Sequence, residues 1–247
     1  MYRAPMARLE DKVILITGGA RGQGATEARQ AAAEGAHVVV TDVLDELGAE
    51  VAAEIGGSYQ RLDVTSSGQW KNVVDTVVAD HGRIDGLVNN AGIFRHNTLL
   101  ENNEDNFRLI TEVNQYGVFN GMAAVAPVMR DQGSGSMVNI SSIAGMRGHR
   151  SIAYVASKWA VRGMTKSAAS QLGKYGVRVN SVHPGAIETD MLFDLGDETI
   201  DRLVSAVPMG RSAKPEEVGN VVLFLLSDES SYVSGAEIVV DGALIAG

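Results

Sequence analysis

The sequence predicts an α/β fold in which a seven-stranded parallel sheet is doubly wound, with helices on both faces. Seven short apolar runs, bounded by Gly, Asp and Asn, recur along the 247 residues, and such runs are typical of strands buried on both faces. Segments of helical length, rich in Ala, Glu, Gln and Leu, separate these runs. Strand alternating with helix gives right-handed crossovers and therefore a parallel sheet.

The strands are expected at seven places, and because no linker divides the chain we expect a single domain. Their predicted bounds are 13–17, 37–42, 59–64, 84–90, 136–141, 177–184 and 237–242. The segments 24–35 and 70–82 have the length and composition of helices. Residues 1–9 are expected to form a loose leader, which leaves 10–247 as the domain.

Composition and charge exclude several classes of function. The net charge of −9 argues against a nucleic-acid partner, because phosphate binding needs clustered Lys and Arg. The chain contains no cysteine, so it has no disulfide, no thiol nucleophile and no thiolate metal site, which is compatible with a reducing cytoplasm. No apolar run has the length of a membrane span. We therefore expect a cytoplasmic protein without a membrane, nucleic-acid or metal partner.

The residues that could carry chemistry follow the ends of the predicted strands. In a parallel sheet, ligands bind beyond the carboxyl ends of the strands. The turn and polar residues at these ends are Gly18 to Gly24, Asp42, Asp63, Asn89 to Gly92, Ser141, Ser142, Pro184 and Gly185. All belong to one rim of the sheet, and this placement predicts one long binding crevice.

The segment TGGARGQG (17–24) joins the first strand to the first long helix. In that context Gly18 permits a tight turn, Gly22 lets the backbone approach a pyrophosphate, and Gly24 allows close helix packing. The N-terminus of the helix adds backbone N–H groups and a positive dipole end. The segment therefore predicts a dinucleotide-binding Rossmann fold.

Asp42 follows Gly24 by 18 residues and ends the second predicted strand. A carboxylate in this place accepts hydrogen bonds from the ribose hydroxyls of an adenosine and repels a 2′-phosphate. Arg21 argues the other way, because a guanidinium in the loop could pair with that phosphate. Like-charge contact is the more costly effect, so the sequence predicts NAD(H) as the cofactor.

Tyr154 and Lys158 are one helical turn apart in YVASK (154–158) and project from the same face of a helix. A tyrosine with a pKa of about 10 needs roughly 4 kcal/mol of preference for the phenolate to titrate near pH 7. A positive charge about 4 Å away supplies a comparable energy. We therefore expect Lys158 to lower the pKa of Tyr154, which would serve as acid and base, and to hold the nicotinamide ribose.

The ordered motifs of the chain resemble those of the short-chain dehydrogenase/reductase family over essentially its whole length. They are TGGARGQG, NNAG (89–92), Asn114 in VNQYGVF, NISS (139–142), YVASK and VHPG (182–185). The resemblance implies that Asn114, Ser142, Tyr154 and Lys158 form the catalytic set. Ser142 would donate a hydrogen bond to the substrate oxygen, and Asn114 would position water behind Lys158.

Two details depart from the family pattern. Ser142 precedes Tyr154 by 12 residues, one fewer than is usual, so Ser141 is a rival for the catalytic serine. Gln115 and Tyr116 replace the usual Leu and small residue after Asn114. We select Ser142 because NISSIAG matches the family at its second serine.

The resemblance also implies a wider set of contacts. Expected at the cofactor are Gly18, Arg21, Gly22, Gln23, Gly24, Asp42, Val43, Asp63, Val64, Asn90, Ala91, Gly92, Tyr154, Lys158, Pro184, Gly185, Ile187, Thr189 and Met191. Expected at the substrate are Phe94, Ser142, Met146, Tyr154, Met191, Leu192 and Phe193, with 186–210 as the substrate loop. Arg95, His96, Arg147, His149 and Arg150 either form a solvated rim or bind an acidic group.

Within the family the sequence is most similar to bacterial 3α/20β-hydroxysteroid dehydrogenases, through GGARGQG, VLDELGAE (43–50), RVNSVHPG (178–185) and SDESSYVSGAE (227–237). This implies an NAD(H)-dependent oxidoreductase that interconverts a bulky apolar ketone and a secondary alcohol. It also implies a homotetramer built through helices around 103–130 and 151–172. The alternatives are a 3-oxoacyl thioester reductase, an epimerase or dehydratase, and a catalytically inactive dinucleotide sensor.

Overall fold

The computed structural model describes residues 7–95, 98–100 and 104–246, and its centre is one seven-stranded parallel sheet. The strands are β1 (Val13–Thr17), β2 (His37–Asp42), β3 (Ser58–Arg61), β4 (Gly86–Asn89), β5 (Gly135–Ile140), β6 (Val177–Pro184) and β7 (Glu237–Val240). Their order is β3-β2-β1-β4-β5-β6-β7, and every pair is parallel. The strand order reverses between β1 and β4, which creates a crevice at their carboxyl ends.

The helices follow the strands in the alternation that the sequence predicts. They are α1 (Gly22–Ala33), α2 (Asp45–Ile55), α3 (Ser67–His81), α4 (Glu104–Thr111), α5 (Gly117–Gln132), α6 (Ile152–Leu172), α7 (Asp190–Phe193), α8 (Asp197–Ser205) and α9 (Pro215–Leu226). A π-helical turn, Glu112–Tyr116, joins α4 to α5. None of the helices in the described ranges is long and apolar enough to cross a membrane.

The alternating side chains of the strands build two cores, one on each face of the sheet. Ile14 and Ile16 of β1 pack in the core that includes residues of α1, α2 and α9. Val13 and Leu15 pack in the other core, with residues of α3, α5 and α6. Because β1 is buried on both faces, it reads as a continuous apolar run. The predicted doubly wound α/β fold is confirmed.

Strand bounds agree fully for β1, β2 and β6, and differ at the remaining strands. The third strand was expected to reach residue 64 but ends at Arg61. Beyond it, the Asp63 backbone N–H donates to Gln69 Oε1 (2.8 Å), and the Asp63 carboxylate accepts from the Thr65 N–H and hydroxyl (3.0 and 2.8 Å). These local hydrogen bonds replace the ladder with a turn.

Residues 7–9 differ from the loose leader expected for 1–9. The Arg8 guanidinium pairs with the Glu34 carboxylate at 2.8 Å, and the Leu9 backbone N–H donates to the Glu34 carbonyl at 3.0 Å. The Leu9 side chain is fully buried in the core of α1, α2 and α9. This burial anchors the segment before β1, so residues 7–9 belong to the packed part of the chain. Residues 1–6 lie outside the described ranges.

Glu27 is a buried acid in α1, and the sequence alone does not indicate its burial or its protonation state. Its side chain is fully buried, and the Gln23 amide donates to Oε1 at 2.9 Å. Among the described residues, Oε2 has no hydrogen-bond partner. Burial raises the pKa of Glu27 to about 8, against the smaller lowering effect of the Gln23 hydrogen bond. The native protein therefore holds a proton that the unfolded chain releases above its ordinary pKa of 4.5.

Replacing Glu27 by Gln should flatten the pH dependence of stability. The wild-type free energy of unfolding should fall as pH rises from about 4.5 to about 8, because the native state binds the extra proton. Glu27→Gln mimics the protonated acid, so at pH 9 it should be more stable than wild type by about 2 to 4 kcal/mol. Urea unfolding at pH 5, 7 and 9 measures this, with exposed Glu50→Gln as the control. Equal pH slopes in wild type and Glu27→Gln would contradict the assignment.

Candidate active site

The turn between β1 and α1 has the backbone shape that its glycines were predicted to give. Gly18 and Gly22 adopt positive φ angles of 65° and 54°, which favour glycine. A Cβ atom at Gly18 would lie 2.8 Å from the Ala91 Cα, and one at Gly24 would lie 2.2 Å from the Gly18 carbonyl oxygen. A larger residue at Gly18 would collide with the segment after β4, and one at Gly24 would collide with the loop itself.

The N-terminus of α1 fits a phosphate group. The residue before the helix, Arg21, makes no side-chain cap, so it gives the orphan N–H groups of the first turn no acceptor. Together with the helix dipole, these groups form an anion-binding position. The Arg21 guanidinium instead pairs with Asp190 of α7 at 3.4 Å, with both side chains 64% exposed. Arg21 therefore links the phosphate loop to the substrate loop.

The end of β4 is fastened to the phosphate loop by hydrogen bonds. The Thr17 hydroxyl accepts from the backbone N–H groups of Asn90 and Ala91, each at 3.0 Å. The Asn90 amide donates to the carbonyls of Thr17 and Gly18 at 3.0 and 3.1 Å. The Asn90 side chain, predicted as a cofactor contact, therefore braces the loop. Sequence reasoning missed Thr17, although its place at the end of β1 is the available signal.

Asp42 lies beside the phosphate loop at the carboxyl end of β2. Its Oδ2 accepts from the Ala20 N–H at 3.1 Å, and its Oδ1 accepts from the Val43 and Leu44 N–H groups at 2.7 and 3.1 Å. The half-buried carboxylate thus holds the loop and the start of α2 together. One lone pair of Oδ2 is not used by these bonds, and the neighbouring Val43 side chain is exposed.

The two residues expected to flank the adenine are committed to local structure through their side chains. The Asp63 carboxylate closes the turn after β3. The Val64 side chain is buried, and a Cβ at Gly117 of α5 would lie 2.7 Å from its Cγ2. Any contact of these two residues with a nucleotide would therefore use mainly the backbone.

Tyr154 and Lys158 lie on one face of α6, as their spacing predicts. The Lys158 ammonium is 5.5 Å from the centre of the Tyr154 ring and donates to the Ile140 carbonyl at 2.9 Å. Lys158 is buried, whereas Tyr154 is half-buried. The helix thus places a hydroxyl at the rim of the crevice and an ammonium behind it.

The expected lowering of the Tyr154 pKa by Lys158 is wrong for this structure. Burial raises the pKa of Tyr154, and the hydrogen bond with the Ser142 hydroxyl opposes that rise. Burial also lowers the pKa of Lys158 to about 8. The loss of water around the two side chains disfavours both charged forms. The sequence shows the spacing of the two residues but not this loss of water.

The structure separates the two candidate serines. The Ser142 hydroxyl hydrogen-bonds Tyr154 and accepts from the Ala144 N–H at 3.1 Å. The Ser141 hydroxyl is buried and donates to the Lys158 carbonyl at 2.9 Å, so it fastens β5 to α6. Only Ser142 therefore has its hydroxyl beside the phenol.

Asn114 lies in the π-helical turn and is fully buried. Its Oδ1 accepts from the Ile93 N–H at 2.8 Å, and its amide donates to the Ile93 carbonyl at 2.9 Å and the Ser157 hydroxyl at 3.3 Å. A Cβ at Gly92 would lie 3.4 Å from Asn114 Oδ1 and 3.6 Å from Lys158 Nζ. Asn114 therefore joins the loop after β4 to α6 close to the ammonium.

The residues predicted to make an apolar substrate pocket divide into two groups. The Phe94 ring packs edge-on against Tyr154, with ring centres 5.1 Å apart, and Met146 is half-buried after β5. On α7, Leu192 is buried, whereas Met191 and Phe193 are 40% and 58% exposed. Phe94 and Met146 thus lie close to the phenol or the end of β5, whereas Met191 and Phe193 face outward because a four-residue helix can bury only one of its sides. Contact of all four side chains with a substrate stays a prediction.

The segment after β6 runs next to the phosphate loop. The Gly185 N–H donates to the Val240 carbonyl at 2.9 Å, which continues the pairing that β6 makes with β7 through Pro184. Ile187 is buried and bridges to Ala213. A Cβ at Gly22 would lie 3.6 Å from the Thr189 Cγ2. Thr189 is therefore close to the proposed phosphate position.

His183 is a site residue that sequence reasoning did not assign. It is fully buried on β6, its Nδ1 lies 3.1 Å from the Ser142 carbonyl, and its Nε2 lies 2.9 Å from the Ser181 hydroxyl. Because a carbonyl only accepts, Nδ1 carries the hydrogen and Nε2 accepts from Ser181. Burial lowers the pKa of His183, which keeps the ring neutral. His183 thereby holds the backbone of Ser142.

Across the described part of the chain, no group of His, Cys, Asp and Glu could hold a metal ion. The arrangement instead brings together a phenol, a serine hydroxyl and an ammonium at the end of a crevice that begins with an anion-binding helix. Such a set can deliver a proton to an oxygen and stabilise charge there.

Comparison with known proteins agrees with this geometry. Residues 18–244 match a family model described as enoyl-(acyl carrier protein) reductase. The chain is 47% identical to a 3-alpha-(or 20-beta)-hydroxysteroid dehydrogenase of Mycobacterium tuberculosis over 97% of this chain and 92% of the relative. It is 42% identical to a trans-4-hydroxycyclohexanecarboxylate dehydrogenase of Sinomonas cyclohexanicum, over 97% and 95% respectively. The crystal structure of gox2181 superposes with a TM-score of 0.94 at 31% identity, covering 98% of both chains.

Replacing Ser142 by Ala should raise the pKa of Tyr154 further, because the hydrogen bond that favours the phenolate is lost. Ultraviolet difference titration against Tyr154→Phe measures that pKa without any substrate. Ser141→Ala is the matched control: it should leave the pKa of Tyr154 in place and cost about 1 kcal/mol of stability. A larger shift of the Tyr154 pKa in Ser141→Ala than in Ser142→Ala would reverse the assignment.

Proposed function

The chain belongs to the short-chain dehydrogenase/reductase family, and we propose that it interconverts a cyclic ketone and a secondary alcohol with NAD(H), using Tyr154 as the acid and base. The observation that carries this proposal is the placement of Ser142, Tyr154 and buried Lys158 at one end of the crevice, with the uncapped N-terminus of α1 at the other. Groups suited to proton transfer and groups suited to dinucleotide binding thus lie along one rim of the sheet.

The residues present fit a nicotinamide dinucleotide. The glycine turn and the free N–H groups of α1 would hold its pyrophosphate, and Asp42 its adenosine ribose. Lys158 would hold the nicotinamide ribose, and Thr189, beside Gly22, would lie between the phosphates and the nicotinamide carboxamide. When bound, this cofactor supplies or accepts the hydride.

Tyr154 is protonated at neutral pH, because burial raises its pKa. A protonated phenol is the form that can donate to the oxygen of a ketone as that oxygen gains negative charge. The Ser142 hydroxyl can donate a second hydrogen bond to the same oxygen. Lys158, with a pKa of about 8, carries its charge at pH 7 and lies behind the phenol, where it would hold the nicotinamide ribose.

The substrate class follows from the pocket and from the relatives. Phe94 and Met146 give an apolar wall beside Tyr154, which suits a carbocyclic ring. Two relatives described above act, by their names, on a hydroxysteroid and on a hydroxycyclohexanecarboxylate. The 3-hydroxyl of the first name and the 4-hydroxyl of the second are both secondary alcohols on a carbocyclic ring, and we propose this class for the present chain.

A 3-oxoacyl thioester reductase is the second candidate, because the matching family model is described as enoyl-(acyl carrier protein) reductase, a name for an enzyme that acts on carrier-bound acyl thioesters. The net charge of −9 disfavours docking of an acidic carrier. A catalytically inactive dinucleotide sensor is disfavoured by the ordered set of Asn114, Ser142, Tyr154 and Lys158.

A homotetramer and a cytoplasmic location complete the proposal. Large apolar side chains are exposed along the helices that would form the subunit contacts, namely Leu109, Tyr116, Phe119, Ile152 and Trp159. Their exposure supports association through α4, α5 and α6, because contiguous apolar surface is typical of protein interfaces. Analytical ultracentrifugation of the purified chain measures the oligomeric state directly.

Tyr154→Phe should remove turnover and keep dinucleotide binding. Loss of a positioned acid lowers kcat by about 10²- to 10⁴-fold, whereas NADH affinity, measured by fluorescence titration, should change by less than about threefold. Tyr175→Phe, which changes an exposed tyrosine after α6, is the matched control and should behave as wild type. Full turnover in Tyr154→Phe would exclude the proposed acid.

Asp42→Asn should weaken the preference for NADH over NADPH. The substitution removes the negative charge that would repel a 2′-phosphate, so the ratio of kcat/KM values for the two cofactors should fall by about tenfold or more. Asp45→Asn, three residues along, is the control for a charge change on α2. An unchanged ratio in Asp42→Asn, or a wild-type enzyme that prefers NADPH, would refute the role given to this carboxylate.

A further inference from the structure

Among the described residues, three arginines beside the candidate active site lack the partners that the other arginines have. Ten of the described arginines pair with carboxylates: Arg8, Arg21, Arg29, Arg61, Arg83, Arg108, Arg130, Arg162, Arg202 and Arg211. Arg178 donates to Ser230 and Ser227. Arg95, Arg147 and Arg150 are exposed, and within the described chain their guanidinium groups have no ion pair or hydrogen bond.

These three arginines belong to two loops that meet at Tyr154. Arg95 directly follows Phe94, whose ring contacts Tyr154. Arg147 and Arg150 lie in the loop between Ser142 and Tyr154. The Ser151 hydroxyl donates to the Arg95 carbonyl at 2.9 Å and joins the two loops. The unpaired charges are therefore carried by the rim on the substrate side of the crevice.

The charge around this rim contrasts with the rest of the chain. The protein contains 30 acidic residues and has a net charge of −9, yet residues 132–187 contain no Asp or Glu. That stretch runs from the end of α5 to the segment after β6 and includes Ser142, Tyr154 and Lys158. Low-dielectric walls lined by one sign of charge raise the local concentration of the opposite ion. Residues 132–187 thus give the site a basic side in an otherwise acidic protein, and such a side favours an anion.

We propose that Arg95, Arg147 and Arg150 bind a carboxylate carried by the substrate, so that the preferred substrates are cyclic oxo acids and hydroxy acids. This inference rests on the proposed function and specifies its substrate class. The ring of the substrate lies against Phe94, its oxygen faces Ser142 and Tyr154, and its carboxylate extends toward the rim. Guanidinium groups suit this role because they form charge-assisted, often bidentate hydrogen bonds with carboxylates.

The test compares two ketones of similar shape, one negatively charged and one neutral. With NADH, kcat/KM is measured for 4-oxocyclohexanecarboxylate and for 4-oxocyclohexanecarboxamide, its neutral analogue of similar shape. Wild type should favour the carboxylate by about tenfold or more, and the ratio should fall as salt is added, because partly exposed pairs are screened. The triple variant Arg95→Gln/Arg147→Gln/Arg150→Gln should lower the ratio by about 10- to 100-fold, mainly through KM.

Controls separate this inference from the proposed function. Arg130→Gln, which removes a charge from the last turn of α5, before the start of β5, should keep the wild-type ratio and salt dependence. Circular dichroism and NADH affinity show whether the triple variant is folded; if it is not, the three single variants and the salt dependence of wild type carry the test. If neither ketone is reduced, the proposed function fails.

Other outcomes overturn the inference alone. Reduction of both ketones at equal efficiency, with no effect of salt, would show that the arginines do not bind the carboxylate of the substrate. An equal loss of NADH affinity in the triple variant would assign them to the cofactor. A loss confined to an acetoacetyl coenzyme A thioester, with the carboxylate ratio unchanged, would assign them to the phosphates of a carrier.

Discussion

The close approach of the phosphate loop to the end of β4 is the constraint on which the site depends. Thr17 and Asn90 join the two segments with four hydrogen bonds, and Gly18 has no room for a side chain beside Ala91. Because β1 and β4 flank the reversal of strand order, this junction fixes where the crevice opens. A dinucleotide laid across it has its phosphates at α1 and its reactive end near Tyr154.

Burial then sets the proton chemistry at the far end of the crevice. Removing water raises the pKa of Tyr154 and lowers that of Lys158, so the two pKa values move apart from their neighbouring ordinary values of 10.0 and 10.5. Ser142 favours the phenolate, and His183 holds the Ser142 backbone without adding charge. Desolvation is therefore the main influence on both the phenol and the ammonium behind it, and the Ser142 hydrogen bond opposes its effect on the phenol.

The sequence was sufficient for the fold, because continuous apolar runs and the glycine turn depend on local patterns that tertiary contacts rarely reverse. The same patterns placed the polar residues on one rim, and the motif series identified the family. The direction of the Tyr154 pKa shift could not be read in this way, since it depends on water excluded by residues distant in sequence. The partner of Arg21 and the exposure of Met191 and Phe193 likewise depend on how the segment after β6 folds back.

The π-helical turn at Glu112–Tyr116 shows how a helix can carry a site without losing its packing. A π turn holds one more residue than an α turn, so it has the form of a single-residue insertion retained within a continuous helical rod. The extra residue is accommodated inside the turn, so α4 and α5 keep their own regular geometry on either side. Asn114 lies within this turn and from there bonds both backbone groups of Ile93. The irregular turn thus serves the position of Asn114, and the regular helices around it serve the core.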